Sequence, residues 1–143
     1  MRVAYDIKYS NENGANPMHY SIGKFSKMCG LTIDTLRFYE KQGLIFSNRG
    51  ADNRRFYTEK DLIWVEFILR LKKTGMTIKN MQEYAQLRYK GDETIPDRIK
   101  LLFDQLDSLY EQQNQINDHI DFLEKKIQLY QEMKVNQKSP NDV

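Results

Sequence analysis

The sequence predicts a mainly α fold, a winged helix-turn-helix domain followed by one long dimerisation helix that pairs with a second copy as a coiled coil. Three observations point there. Short amphipathic stretches joined by a glycine-bearing turn fill residues 20–42. A polar, arginine-bearing loop follows at 47–55, flanked by apolar residues. Apolar residues at alternating steps of three and four then run from Ile99 to Tyr130, which is the seam of a coiled coil.

Charge divides the chain the same way. The 143 residues carry a formal net charge of +2. Residues 18–90, however, hold 14 Lys and Arg against 7 Asp and Glu, net +7, and residues 91–143 hold 6 against 11, net −5. A basic half joined to an acidic half suggests that a polyanion meets the first and something else the second. The single cysteine, Cys29, excludes an intrachain disulfide and a zinc site built from several thiolates. A reducing, cytoplasmic setting is therefore expected. No run approaches the roughly 20 apolar residues of a membrane span, and the N-terminus lacks the layout of a signal peptide, so no membrane partner is expected.

Taken in order, residues 1–17 end in the turn formers Asn11 to Pro17 and read as a loose tail. A winged domain is expected over 18–90. Its first helix covers Gly23 to Met28, and Gly30 supplies the left-handed residue of a tight turn. Thr32 caps a second helix from Ile33 to about Gln42, Asp34 complements its positive end, and Gly43 stops it. Extended residues Ile45-Phe46 and Arg54 to Tyr57 frame a hairpin, the wing. Thr58 caps a third helix with an apolar stripe of Leu62, Val65, Ile68 and Leu69, ended by Gly75. Thr77 caps a fourth, carrying Met81, Tyr84, Ala85 and Leu87 and closed by Gly91.

A hinge over 91–95 leads to the long helix, 96–135, and a disordered tail, 136–143. The seam comprises Ile99, Leu102, Leu106, Leu109, Gln113, Ile116, Ile120, Leu123, Ile127 and Tyr130, roughly 48 Å at 1.5 Å per residue. No other helix is long enough to cover it, so its partner is the same helix of a second molecule, giving a homodimer. Parallel and antiparallel pairings both bring the two Gln113 side chains near each other; the wide separation of two winged halves is easier with antiparallel helices. Phe103 and Tyr110 widen the apolar face beside the first half of the seam.

The second helix offers the groups a major groove requires, short polar side chains for base edges and cations for phosphates. Double-stranded DNA is the expected partner. Candidate contacts are Ser21, Thr32, Asp34, Thr35, Arg37, Phe38 and Tyr39, joined by Arg49, Asn53, Arg54, Arg55 and Tyr57 from the wing. Arg37 could instead pair with Glu40, and Tyr57 could pack under the wing. Met76, Tyr84, Tyr89, Phe103 and Tyr110 are candidates for a small-molecule effector pocket, although glue between domain and helix is the preferred reading. Cys29 is expected to be buried and structural, and His19 and His119 to be ordinary surface residues. No metal site, cofactor motif, phosphate loop or catalytic Cys/His pair is in register, so an enzyme is not expected.

Tyr20-Ser21-Ile22-Gly23, Gly30-Leu31-Thr32, Thr35-Leu36-Arg37-Phe38-Tyr39-Glu40, Gly43-Leu44-Ile45 and Arg54-Arg55-Phe56-Tyr57 together resemble the MerR family of bacterial transcription regulators. The resemblance runs from about Met18 to Tyr130. It implies an antiparallel dimerisation helix and a near-palindromic operator inside a promoter with an overlong spacer. DNA distorted in response to an effector would then become readable by RNA polymerase, which shares the promoter. The resemblance is nearest to the branch that answers aldehydes and electrophiles. That branch carries its reactive cysteine on the third helix, where this sequence has Arg70 after Phe67-Ile68-Leu69, which argues against cysteine alkylation. A DNA-bending accessory protein of the excisionase type, without a sensor, is the alternative.

Overall fold

The computed structural model describes residues 18–136; the expected tail at 1–17 and all but Asn136 of the expected tail at 136–143 lie outside the described residues. The chain divides into two units, one ending at Leu101 and one beginning at Leu102. The elements in order are α1 (Ile22–Cys29), α2 (Ile33–Lys41), β1 (Asn48–Arg49), β2 (Arg55–Phe56), α3 (Glu59–Lys73), α4 (Ile78–Lys90), a 3-10 turn (Asp92–Thr94) and α5 (Ile95–Asn136).

Hydroxyls start the helices of the first unit. Ser21, Thr32 and Thr77 accept from the backbone N–H three residues on, and Thr58 shares a capping box with Asp61. Each such cap is worth about 1 kcal/mol. The end of α2 decides how the chain enters the core. Gly43 takes φ 74°, its N–H bonds the Glu40 carbonyl at 3.0 Å, and the Leu44 N–H bonds that of Tyr39 at 2.9 Å. This paired closure turns the chain sharply and drops Leu44 and Ile45 into the core.

That burial corrects the expected wing. Ile45 and Phe46 precede the hairpin, because Ile45 is needed inside. The strand is instead polar, with Asn48 paired to Phe56 and Arg49 to Arg55. Tyr20 adds a third short rung, exchanging backbone hydrogen bonds of 2.7 and 2.8 Å with Tyr57. Phe25 of α1 stacks on Tyr57 with ring centres 4.5 Å apart, and Trp64 of α3 donates its indole N–H to the Leu44 carbonyl at 2.8 Å. The buried residues of α3 are Trp64, Val65, Ile68 and Leu71. The expected stripe thus holds at Val65 and Ile68, while Leu62 and Leu69 are only half-buried. On α4, Met81, Tyr84 and Ala85 are buried and Leu87 is half-buried.

The expected hinge at 91–95 is internally hydrogen-bonded. Thr94 is buried, and its hydroxyl lies 2.6 Å from the Leu87 carbonyl and 2.7 Å from that of Gly91. Arg98 reaches back to the Thr94 hydroxyl at 3.2 Å and the Gly91 carbonyl at 3.3 Å. A threonine and an arginine make this a braced corner. α5 begins at Ile95, one residue earlier than expected. In the second unit the helix carries Leu106, Ile116, Ile120, Leu123, Ile127 and Tyr130 exposed to solvent. From Leu102 to Tyr130 this apolar seam is about 42 Å long at the α-helical rise. Phe103 and Tyr110 beside it are exposed as well.

Candidate nucleic-acid interface

α2 has two sharply different faces. Leu36 and Tyr39 are buried. Asp34, Arg37, Phe38 and Lys41 are exposed, and their spacing of i, i+3, i+4 and i+7 puts them on one helical face. Inward anchoring fixes this orientation. Leu36 packs in the core, and Tyr39 carries Lys72 over its ring at 5.8 Å, with its hydroxyl 3.5 Å from the Lys72 ammonium. Gln82 of α4 holds the end of the helix through the Gln42 carbonyl at 2.8 Å.

Ahead of that face, Thr32 is exposed and Thr35 half-buried; the Thr32 hydroxyl accepts from the Thr35 N–H at 3.1 Å and lies 2.8 Å from the Thr35 hydroxyl. Ser21 is exposed at the start of α1, occupied in capping it through the Lys24 N–H at 3.3 Å.

The wing tip is an organised turn. The Asn53 N–H bonds the Gly50 carbonyl at 2.9 Å, and the Gly50 N–H bonds the Arg54 carbonyl at 3.0 Å. Asn53 takes φ 62°, a left-handed conformation that asparagine tolerates better than most residues. Arg49 donates to the Asn53 carbonyl at 2.9 Å. Arg54 projects outward, its side chain 88% exposed and 3.9 Å from the Asp52 carboxylate.

Arg55 has a different role. Its guanidinium lies 3.1 Å from the Glu40 carboxylate, which also accepts from the Ser47 hydroxyl at 2.6 Å. Glu40 stands in the last turn of α2, where the helix dipole disfavours an acid. The bonds it makes there tie the wing to the helix. On the other side, Asn48 donates to Asp61 at 3.0 Å, linking the wing to the cap of α3. The alternative Arg37–Glu40 pair does not form; Arg55 occupies that carboxylate, and Arg37 makes no ion pair among the described residues.

Two expected contacts are corrected. Tyr39 is buried, and Tyr57 is only 1% exposed, so neither presents a side chain to an external partner. The Tyr57 hydroxyl has no hydrogen-bond partner among the described residues. Burial raises it above the usual tyrosine value of 10.0, with Glu40 adding to the rise.

Cys29, expected to be buried, is half-buried, its thiol 3.7 Å from the Ser26 carbonyl. His19 is exposed but stacks on Phe56 at 3.7 Å. The sequence reading missed Lys41, whose place on the outward face follows from the helical period, and Glu40, whose acid at a helix C-terminus was the signal. It also left out Lys24 and Lys27, both exposed along α1.

The candidate effector residues divide. Met76 and Tyr84 are closed into the core of the first unit at 4% and 8% exposure. Tyr89 is exposed, its ring tilted against that of Phe46 with centres 4.6 Å apart. Phe103 and Tyr110 lie in the second unit. Arg70, at the position where the cysteine of the electrophile-responsive branch would fall, is exposed on α3. Among the described residues no three His, Cys, Asp or Glu side chains form a metal-holding group, and no helix is long and apolar enough to cross a membrane.

A helix with a core-anchored inner face and a polar, cationic outer face, braced to an arginine-bearing hairpin, defines the winged helix-turn-helix class of nucleic-acid-binding domain. Within that class the match is specific. Residues 20–87 match the family described as MerR HTH family regulatory protein. An uncharacterized HTH-type transcriptional regulator of Haemophilus influenzae is 38% identical over 120 residues, covering 82% of this chain and 87% of that protein. The chain belongs to the MerR family of transcriptional regulators. It is also similar to the Bacillus subtilis regulator AdhR, 38% identical over 92 residues that cover 64% of this chain and 66% of AdhR. Among solved structures, one is of HiNmlR, described as a MerR family regulator lacking the sensor domain, bound to promoter DNA. It aligns with TM-score 0.63 and 34% identity over 82% of this chain and 94% of that one. A MerR family regulator from Bacillus thuringiensis aligns with TM-score 0.60 and 35% identity over 79% of this chain and all of that one.

Proposed function

We propose that two copies of this chain, paired through α5, bind a near-palindromic promoter duplex in the bacterial cytoplasm and regulate transcription by deforming it. The observation that carries this reading is the outward face of α2, Asp34, Arg37, Phe38 and Lys41, held beside the exposed wing arginines 49 and 54. The similarity to HiNmlR, whose structure contains promoter DNA, supports it. In this reading α2 enters the major groove, Arg37 and Lys41 meet phosphates, and the wing follows the adjacent backbone. The seam on α5 joins the two copies. Deformation of the DNA between the half-sites, costing several kcal/mol, is sustained by contacts at both ends. RNA polymerase reads the result through the shared promoter.

The excisionase alternative gains no support from the relatives, which are transcriptional regulators, and nothing favours an enzymatic role. Of the residues proposed for an effector, Met76 and Tyr84 are inside the core. The test is selection from a pool of randomised duplexes by the purified protein, followed by footprinting and a bend measurement. A selected sequence with two symmetric half-sites and a bend between them is expected. Selection of single, unrepeated sites or straight DNA would refute the reading.

A further inference from the structure

One residue on the outward face of α2 is unlike its neighbours. Phe38 is 49% exposed, yet it shares the outward face with Asp34, Arg37 and Lys41, all charged. Its ring lies beside that of Tyr39, tilted at 48° with centroids 6.1 Å apart, and it is not among the residues of α2, Leu36 and Tyr39, that are buried. An exposed phenyl ring makes no hydrogen bond to a phosphate and gains nothing from a charged groove wall. The apolar group that the major groove itself displays is the 5-methyl of thymine, and phenylalanine is among the side chains that contact it.

We infer that Phe38 reads a thymine methyl in each half-site, giving the complex sequence preference through an apolar contact in addition to the polar groups of α2. The inference rests on the proposed DNA binding and adds a base and an atom to it. Position supports it: Phe38 and Arg37 stand on opposite flanks of the outward face, about 100° apart around the helix with Lys41 and Asp34 between them, so the ring reaches base edges on one flank while Arg37 meets a phosphate on the other. Cation attraction then sets the approach and the ring sets which base is accepted.

The duplex selected by the full chain from a randomised pool is the probe, resynthesised with each half-site thymine replaced in turn by deoxyuridine, which removes the methyl alone. Burying one methyl is worth about a fourfold change in affinity. The expected result is such a loss at one thymine per half-site for the unsubstituted protein, retention of the loss in Phe38→Leu, and its disappearance in Phe38→Ala, which binds both duplexes equally. No loss at any thymine, or a loss that persists in Phe38→Ala, would overturn the inference while leaving DNA binding intact. Failure to select any duplex would overturn the DNA-binding reading itself, and this inference with it.

Discussion

Replacing Tyr57 by phenylalanine should make the protein more stable, although tyrosine at this position belongs to one of the motifs carrying the family resemblance. The ring is 1% exposed and stacks on Phe25 at 4.5 Å, and its hydroxyl is buried without a partner among the described residues. An unsatisfied buried hydroxyl costs about 1–3 kcal/mol. Removing it while keeping the ring should recover about 1 kcal/mol once lost dispersion contacts are deducted. Trp64, the chain's single tryptophan, lies in the same core, so urea unfolding followed by its fluorescence reports this unit.

The hydroxyl also ties stability to pH. Burial raises both Tyr57 and Tyr20, aided by Glu40 and Glu59 respectively, so the folded state favours the protonated form. Stability from this source is therefore present below the unfolded value near 10.0 and is lost as pH rises through the raised folded values. Tyr57→Phe should flatten part of that alkaline fall. DNA affinity should be unchanged. A loss of about 1 kcal/mol or more would mean that the hydroxyl has a partner in solution, and a tenfold loss of DNA affinity would mean that it reaches a phosphate; either result refutes the reasoning.

Glu40→Gln should weaken DNA binding and reduce the bend even though it removes a negative charge from a cationic surface, because it frees Arg55 and loosens one of the ties that hold the wing; tighter binding in a titration would show that the pair does not position the wing. Arg37→Ala and Arg54→Ala should each lower affinity and reduce the salt slope of the dimer by about two units, one phosphate per protomer, and an unchanged slope between about 50 and 200 mM salt would remove them from the interface. Leu106→Asp combined with Ile120→Asp should give monomers in sedimentation that no longer hold a full palindrome, and a surviving dimer would place the interface elsewhere. Thr94→Val should destabilise the first unit by about 1–2 kcal/mol through loss of the hydroxyl, whose one proton is shared between the Leu87 and Gly91 carbonyls and whose oxygen accepts from Arg98, and an unchanged urea midpoint would show that the corner is braced by other contacts.

Signals local to the chain were legible in the sequence. Thr32, Thr58 and Thr77 cap the helices they precede because a hydroxyl and three backbone N–H groups are a matter of a few adjacent residues. Gly43 and the heptad spacing of α5 are equally local. Misreadings came where a distant partner decided. Ile45 reads as a strand residue, yet the closure at Gly43 sends it into the core. The segment 91–95 reads as a hinge, with no sign in the sequence that Thr94 reaches carbonyls seven and three residues back or that Arg98 reaches the Thr94 hydroxyl and the Gly91 carbonyl. Tyr57 reads equally as a phosphate contact or as a ring packed under the wing, and only the fold decides for the ring. Arg37 and Arg55 look alike in sequence; only the fold gives the Glu40 carboxylate to one of them and leaves the other exposed.

That division bears on how DNA would be deformed. Three separate ties hold the wing: the Tyr20 rung at its base, Asn48 on Asp61, and Arg55 with Ser47 on Glu40. None is strong by itself, since a partly exposed ion pair is worth about 1 kcal/mol or less. They act on different sides of a short hairpin, however, and reorienting the wing relative to α2 would require breaking all three together. When a groove and its flanking backbone meet such a fixed pair of surfaces, the softer body yields. Bending a promoter-sized duplex costs about 1–6 kcal/mol, comparable with breaking the ties, and a second copy doubles the contacts that compensate for it. The bend should therefore depend on Glu40 and Asp61, neither of which need touch DNA, while base preference depends on the outward face of α2.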